Sequence, residues 1–393
     1  MIALALGYAD GTHRLVPPEV TLARVAPHLK RIGVTRVAEI TGLDRLGIPT
    51  FCAVRPYGRL IQVTNGKGLS DIAARVSAIM EAVEHAHVEQ RPPCACFASM
   101  AELTAQGVPF LPVQALPIYV PGRHLSDHRR LAWIDSRFLL ADASVGERIL
   151  LPACAVYLTE PMLAPLSTNG MASGNHLVEA SLHALFEVIE RDAIMRLARG
   201  GLRLPDNESR LVDLSRPLPA PVAALRDLLA AAGVELALIR VASPPPTTTM
   251  WAVILDPAAP HACSRINMGH GAHLSPTVAA TRAITEAAQS RLTFIHAARE
   301  DLDAQSYRLT PAHERLVAFF TQRQGDLPWD DLADHATDDL GLDLALVCRG
   351  LAAAGYDRVL RVDLTRPELG IPVVKMIVPG LAGSGIPPAG IGG

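Results

Sequence analysis

Apolar residues recur at helical spacing in three long stretches of this chain, and each stretch follows a short apolar run and a glycine-containing break. In the first, an apolar run at residues 60–63 meets Asn65-Gly66-Lys67-Gly68, and a helix is predicted over 70–90, closed by Pro92-Pro93. In the second, the run is 149–158, the break contains Asn169-Gly170 and Gly174-Asn175, and the helix spans 177–199. In the third, a strand at 250–255 is followed by a Gly269-His270-Gly271 turn and a helix over 276–299. The pattern reads as strand, glycine turn and helix three times over, an α/β architecture in which the breaks and helix beginnings share one site.

The flanks read similarly. A short amphipathic helix is expected at 21–32, entered through Pro17-Pro18-Glu19, with strands at 34–40 and from 47 to 54. After the third helix come a polar connector over 310–337, a helix near 343–354 and strands at 358–363 and 372–378. Proline-rich patches at 204–221 and 244–246 read as surface connections. Residues 1–64 form a helix and strand segment packed on a core of 65–393, one composite domain overall.

Composition narrows the class. Of the 393 residues 49% are hydrophobic and 19% charged, which excludes a disordered chain. The net charge of -3 comes from interspersed charges with no basic stripe, so nucleic acid is not an expected partner. No apolar run reaches the ~18 residues of a membrane span, and the apolar start lacks the basic region of a signal peptide. The six cysteines are scattered, and Cys94-Ala-Cys96, the closest pair, lacks metal-site spacing. A reducing, cytoplasmic location is expected.

The three helices carry polar stripes on otherwise apolar bodies. Ser77, Glu81 and Glu84 stand at i, i+4 and i+7, among Ala78, Ile79, Met80, Ala82 and Val83. Glu179, His183, Glu187 and Glu190 stand at i, i+4, i+8 and i+11 in an equally apolar setting. Arg282, Glu286 and Gln289 repeat the pattern more faintly. A helix apolar nearly all round is buried, and buried carboxylates are costly unless cations sit against them. Hard oxygen ligands suit Mg²⁺, which prefers carboxylates, waters and phosphates. The stripes therefore suggest a nucleotide with magnesium, although a single pair of glutamates is more often a solvated face, Lys67 more often a turn lysine and Asn175 more often a helix cap. The Walker motif is missing, Gly269-His270-Gly271 lacks the third glycine of a dinucleotide fingerprint, and His270 with His273 is too little for zinc.

These residues also carry a family signature. Asn65-Gly66-Lys67-Gly68, Ser77-Ala-Ile-Met-Glu81-Ala-Val-Glu84, Asn169 to Asn175 running into Glu179, Glu187-Val-Ile-Glu190-Arg191-Asp192, Glu286-Ala-Ala-Gln289-Ser-Arg291, and Asp363-Leu-Thr-Arg-Pro with Pro379-Gly380 resemble the YcaO family. The resemblance implies one α/β domain with an unconventional ATP site. It implies magnesium at Glu81, Glu84, Glu187, Glu190 and Glu286. It also implies nucleotide contacts from Lys67, Ser77, Asn175, Glu179, Arg191, Arg282 and Gln289, and from Arg14 and Thr21, where the family often has Lys and Ser.

Two departures from the family pattern stand out. Its first glutamate motif usually ends Glu-Arg, but here Glu84 precedes His85, so a phosphate-side cation is absent or replaced. Its azoline-forming members tend to end Pro-x-Pro-x-Pro, whereas this chain ends Pro387-Pro388-Ala-Gly-Ile-Gly-Gly393. With residues 11–19 and 40–49, that ending is more similar to the subgroup that works beside a TfuA-type partner in thioamide formation.

What the resemblance implies is ATP-dependent phosphorylation of a backbone amide oxygen in a precursor peptide or protein, with a TfuA-like partner and a separate sulfur donor. A homodimer is compatible with it. No residue is singled out as nucleophile or general base. The alternatives are an azoline-forming cyclodehydratase and, in another class, a non-catalytic ATP-binding scaffold.

Overall fold

The computed structural model describes residues 4–116, 125–160, 167–199, 209–259, 265–308 and 311–381. The Pro387-Pro388 ending, Cys263 and the first part of the 204–221 stretch lie outside the described residues. The fold is mixed α/β, as expected. Its sheets are antiparallel throughout the described pairings.

The chain opens with α1 (Pro18–Val25), β1 (Arg36–Glu39), β2 (Thr50–Val54), β3 (Val63–Lys67) and α2 (Asp71–Val88). Helix α1 begins three residues earlier than the periodicity predicts and ends sooner. Pro18 occupies its first turn, where no amide donor is needed, and Pro27 breaks the hydrogen-bond ladder so that Ala26–His28 form a 3-10 turn. Helix α2 is capped by Ser70, whose hydroxyl accepts from Ala73 N, and it covers the three-stranded sheet β1-β2-β3.

The second group comprises β4 (Cys96–Ala98), α3 (Met100–Ala105), β5 (Leu131–Leu139), β6 (Val145–Pro152), β7 (Met171–Ser173) and α4 (Leu177–Arg199). The third comprises β8 (Arg210–Leu211), α5 (Ala220–Ala231), β9 (Glu235–Val241), β10 (Thr248–Leu255), β11 (Ile266–His273) and α6 (Pro276–His296). Then follow α7 (Pro311–Thr321), α8 (Leu340–Ala353), β12 (Val359–Asp363) and β13 (Val373–Ile377). The stretch read as a polar connector thus holds α7. The last two strands join the second group in the sheet β4-β5-β12-β13-β7, with β6 beside β5, and β11-β10-β9-β8 form a third sheet.

The expected glycine turns are corrected by the structure. Asn65, Gly66 and Lys67 lie within β3, and Gly269, His270 and Gly271 lie within β11. Their glycines serve close approach: a Cβ on Gly66 would lie 2.0 Å from Ala78 N of α2, and one on Gly269 would lie 2.2 Å from both Ala283 O and Ala287 N of α6. Only a missing side chain lets each helix lie this low on its strand. The second copy does retain turn character, with Gly170 at φ +75 just before β7.

Each helix therefore lies on its own sheet and turns one stripe outward. Ala78, Ile79, Ala82 and Val83 of α2 are fully buried, as are Ala180, Ala184 and Leu185 of α4 and Ala279, Ala283, Ile284 and Ala287 of α6. No helix among the described residues is long and apolar enough to cross a membrane.

Candidate functional site

The stripes of α2, α4 and α6 meet on one cleft of about 600 Å³, and all fourteen residues singled out in the sequence line it. The amino-terminal segment closes one end. Asn175, just before α4, accepts at Oδ1 from Thr21 Oγ1 at 3.0 Å and from Arg24 Nη1 at 3.3 Å. Its own N and Nδ2 donate to Glu179 Oε1 at 2.9 and 3.0 Å, while Leu15 N donates to Glu179 Oε2 at 2.8 Å. Glu179 is thereby fully engaged and only 2% exposed, with Arg14 exerting its charge from the adjacent residue.

The carboxylates gather beyond this end. Glu84 Oε1 accepts from Ser173 N at 2.8 Å and Oγ at 2.7 Å, which ties α2 to β7. Lys67 Nζ is 2.5 Å from Glu286 Oε2, and Gln289 Nε2 donates to Asn65 O at 3.0 Å, so α6 is tied to β3. His270 N donates to Glu286 Oε1 at 3.2 Å. Glu190, His270 and Glu286 offer ligand atoms within 4.8 Å of one another, a grouping that suits a metal ion. Arg191 lies beside Glu190 at 3.9 Å.

Burial and mutual repulsion leave this cluster short of positive charge. Burial, reinforced by Glu81 and Glu187, pushes the Glu84 carboxyl up to about 8 even against its bonds from Ser173. Burial likewise raises Glu187 to about 7, with Arg191 opposing and Glu190 adding to the rise. Glu81 and Glu190 also rise, chiefly through burial. Glu286 goes the other way: burial works to raise it, yet Lys67, His270 and Arg191 hold it well below the usual carboxylate range. A magnesium ion supplies the missing charge, and carboxylate oxygens are the ligands it prefers.

Donors wait for acceptors at the same place. Arg282 Nε and Thr281 Oγ1 are buried without a hydrogen-bond partner among the described residues, and both residues line the cleft. Buried donors left unpaired by protein fit an anionic ligand such as a polyphosphate. The residues present thus fit a nucleotide with Mg²⁺.

Comparison with known proteins agrees with this chemistry. Residues 65–382 match the family model described as YcaO cyclodehydratase, ATP- and Mg²⁺-binding. The chain belongs to the YcaO family. ATP and Mg²⁺ are its cofactors. An uncharacterized protein of Methanothermobacter thermautotrophicus is 35% identical to this YcaO chain over 399 residues, covering 96% of it and 97% of the relative. An uncharacterized protein in the tfuA 3' region of Rhizobium leguminosarum bv. trifolii is 32% identical, covering 95% and 90%. Among solved structures, YcaO from Methanopyrus kandleri, bound with AMPPCP and Mg²⁺, superposes with a TM-score of 0.76 at 26% identity, covering 96% of this chain and 94% of that one.

Several residues of this YcaO site escaped the sequence reading. His183, on the α4 stripe, lines the cleft and is kept neutral by burial and by Arg282, Arg14 and Lys67. His270, which with His273 makes too little for zinc, stands against Glu286. Lys375, outside the cleft lining, donates from Nζ to Ser167 O, is 4% exposed in the otherwise apolar β13 and is pulled down to about 8 by burial, with Glu187 opposing. A lone lysine inside an apolar strand is a signal that sequence alone contains. The His85 departure also resolves: the imidazole is 3% exposed and is pushed down to about 4 by burial and by Arg55, so position 85 carries no charge.

Proposed function

We propose that this YcaO protein uses ATP to phosphorylate the carbonyl oxygen of a backbone amide in a peptide or protein, and that the amide becomes a thioamide. The observation that carries this reading is the meeting of six glutamates from three helices, together with Arg14, Lys67, Arg191 and Arg282, on one cleft. Glu81, Glu84, Glu187, Glu190 and Glu286 hold magnesium. Arg14, Thr21, Lys67, Ser77, Asn175, Glu179, Arg191, Arg282 and Gln289 hold the nucleotide.

An amide oxygen is a poor leaving group, and phosphorylation makes it a good one. Hydrosulfide adds to the amide carbon, and the carbonyl electron pair moves onto oxygen. That oxyanion takes the γ-phosphoryl group of ATP and releases ADP. The carbon–oxygen bond then breaks, phosphate departs with it, and loss of the sulfur-bound proton leaves the carbon–sulfur double bond. Magnesium supplies neutralisation of phosphate charge. The chain's part is to position and to balance charge, which in phosphoryl transfer is most of the catalysis. Arg282 and Lys67 face the phosphates, and the bonds of Asn175 and Glu179 fix the opposite wall.

The thioamide form of the reading is supported by the Rhizobium relative, whose name places it beside tfuA. It calls for a TfuA-like partner and a separate sulfur donor. The family description as a cyclodehydratase favours the second reading, azoline formation from Cys, Ser or Thr. One experiment separates them: ADP and phosphate release with and without candidate peptide, partner and sulfide, followed by the mass of the peptide. Exchange of oxygen for sulfur raises the mass, and cyclodehydration lowers it. Release that requires peptide and is lost in Glu187→Gln and Glu190→Gln is expected. Nucleotide binding without turnover under any combination would reduce the protein to a scaffold.

A further inference from the structure

The cleft extends past the residues assigned to nucleotide and metal. Along α6 its lining runs from Arg282 through Glu286 and Gln289 to Phe294, and beyond the helix to Arg299. The helix from Arg282 to His296 spans about 20 Å at 1.5 Å per residue. Arg282 and Arg299 therefore lie on opposite sides of Glu286 along the chain of α6 and the turn after it, with Arg14 at the Arg282 end.

Arg299 is held in one pose. Helix α6 stops where Ala297 adopts a left-handed φ of 52°, and the chain turns back. Asp301 then grips the guanidinium, Nε donating to Oδ1 at 2.9 Å and Nη2 to Oδ2 at 2.6 Å. This fork occupies one edge, and Nη1 has no hydrogen-bond partner among the described residues. The side chain is 25% exposed and lines the cleft. A guanidinium locked on one edge and open on the other is pre-organised for an anionic oxygen. The charge of Arg299, like that of Lys67, acts on Glu81 within the cleft.

We propose that Arg299 contacts the γ-phosphoryl oxygens of the bound nucleotide and that Asp301 positions it to do so. The inference rests on the nucleotide site of the proposed function. Magnesium held by the glutamates would neutralise charge at the phosphates that react. A cation that shares the cleft with Glu81 and acts on its charge, at the end away from Arg14, Asn175 and Glu179, would stand by the phosphoryl group that is transferred. An arginine there opposes the charge that builds on the equatorial oxygens.

The test is calorimetric titration of the full chain with Mg²⁺ and either AMPPCP or ADP, for wild type, Arg299→Gln, Arg299→Lys and Asp301→Asn, with thermal unfolding of each. Arg299→Gln is expected to weaken AMPPCP about tenfold or more and ADP less than about threefold, as loss of a charge-assisted contact to the terminal phosphate requires. Asp301→Asn gives a smaller loss with the same selectivity, and Arg299→Lys a partial one. Should Arg299→Gln fail to fold, the other two variants carry the test. Equal losses for both nucleotides, or no loss in variants that unfold like wild type, overturn the inference and leave the proposed function standing. A wild type that binds neither nucleotide overturns both.

Discussion

Lys67 Nζ stands 2.5 Å from Glu286 Oε2, an ion pair that joins the edge strand of one sheet to the helix lying on another. It also decides which of the five clustered glutamates stays ionised most firmly. Glu286 is held low by Lys67, whereas Glu84 and Glu187 are raised.

Removing that lysine therefore strips charge balance from the centre of the cleft. Lys67→Met is expected to lower stability by about 1–2 kcal/mol, because the partners are partly exposed and the pair is only partly desolvated. Peptide-dependent ADP release should fall by about tenfold or more, with Lys67→Arg retaining part of it. ADP release at wild-type rates in Lys67→Met would mean that the lysine is structural only.

Acidity at the cluster gives a pH signature. A carboxyl with a folded pKa of about 8 and an unfolded value near 4.5 binds its proton more tightly in the folded protein. Its contribution is fully present below 4.5 and is lost as pH rises through about 8. The ligand-free protein is thus expected to show a falling melting temperature from pH 6 to pH 9. Saturating Mg²⁺ with AMPPCP should flatten that fall, since the metal holds the carboxylates ionised. Glu84→Gln should flatten it without ligand. A melting temperature that rises over this range would contradict the assigned charge states.

Close packing of helix on strand predicts intolerance at two glycines. Gly66→Ala places a methyl 2.0 Å from Ala78 N, and Gly269→Ala places one 2.2 Å from Ala283 O, both against backbone that has nowhere to go. Each should cost on the order of 3 kcal/mol in denaturant unfolding. Gly42→Ala, with open space around it, serves as the comparison and should change stability by less than about 0.5 kcal/mol.

Asn175 couples the amino terminus to α4. Asn175→Ala removes the acceptor for Thr21 and Arg24 and a donor to Glu179. Weaker nucleotide binding and faster amide exchange in α1 are expected together. A double-mutant cycle with Thr21→Val should give a coupling of about 1 kcal/mol. Additivity of the two changes would deny the link.

Much of this was legible in the sequence. The three stripes depend on helical period alone, and period survives folding, so Glu81, Glu84, Glu187, Glu190 and Glu286 converge as expected. The glycine breaks were misread because glycine signals both a turn and a close backbone approach. Gly66 and Gly269 serve the second purpose, a tertiary matter that local pattern does not contain. Lengths were blurred where proline acts, as at Pro27. Strands β5 and β9 go unannounced in the sequence reading although each pairs with the strand next in the chain, β6 and β10. Ser173 and Arg299 had no stripe to announce them, and their importance comes from what folding brings alongside.

The grip of Asn175 on Thr21 and Arg24 has a further consequence for where this protein functionally begins. The segment matched by the family model starts at residue 65 and contains the five clustered glutamates of the cleft. One wall, however, is lent by residues that precede it by some forty positions or more, as a clasp closing over a locket. A protein trimmed to residue 65 would keep the five glutamates but lose Arg14 and the enclosure, and nucleotide capture and docking of the first two dozen residues would be one shared equilibrium rather than two separate events.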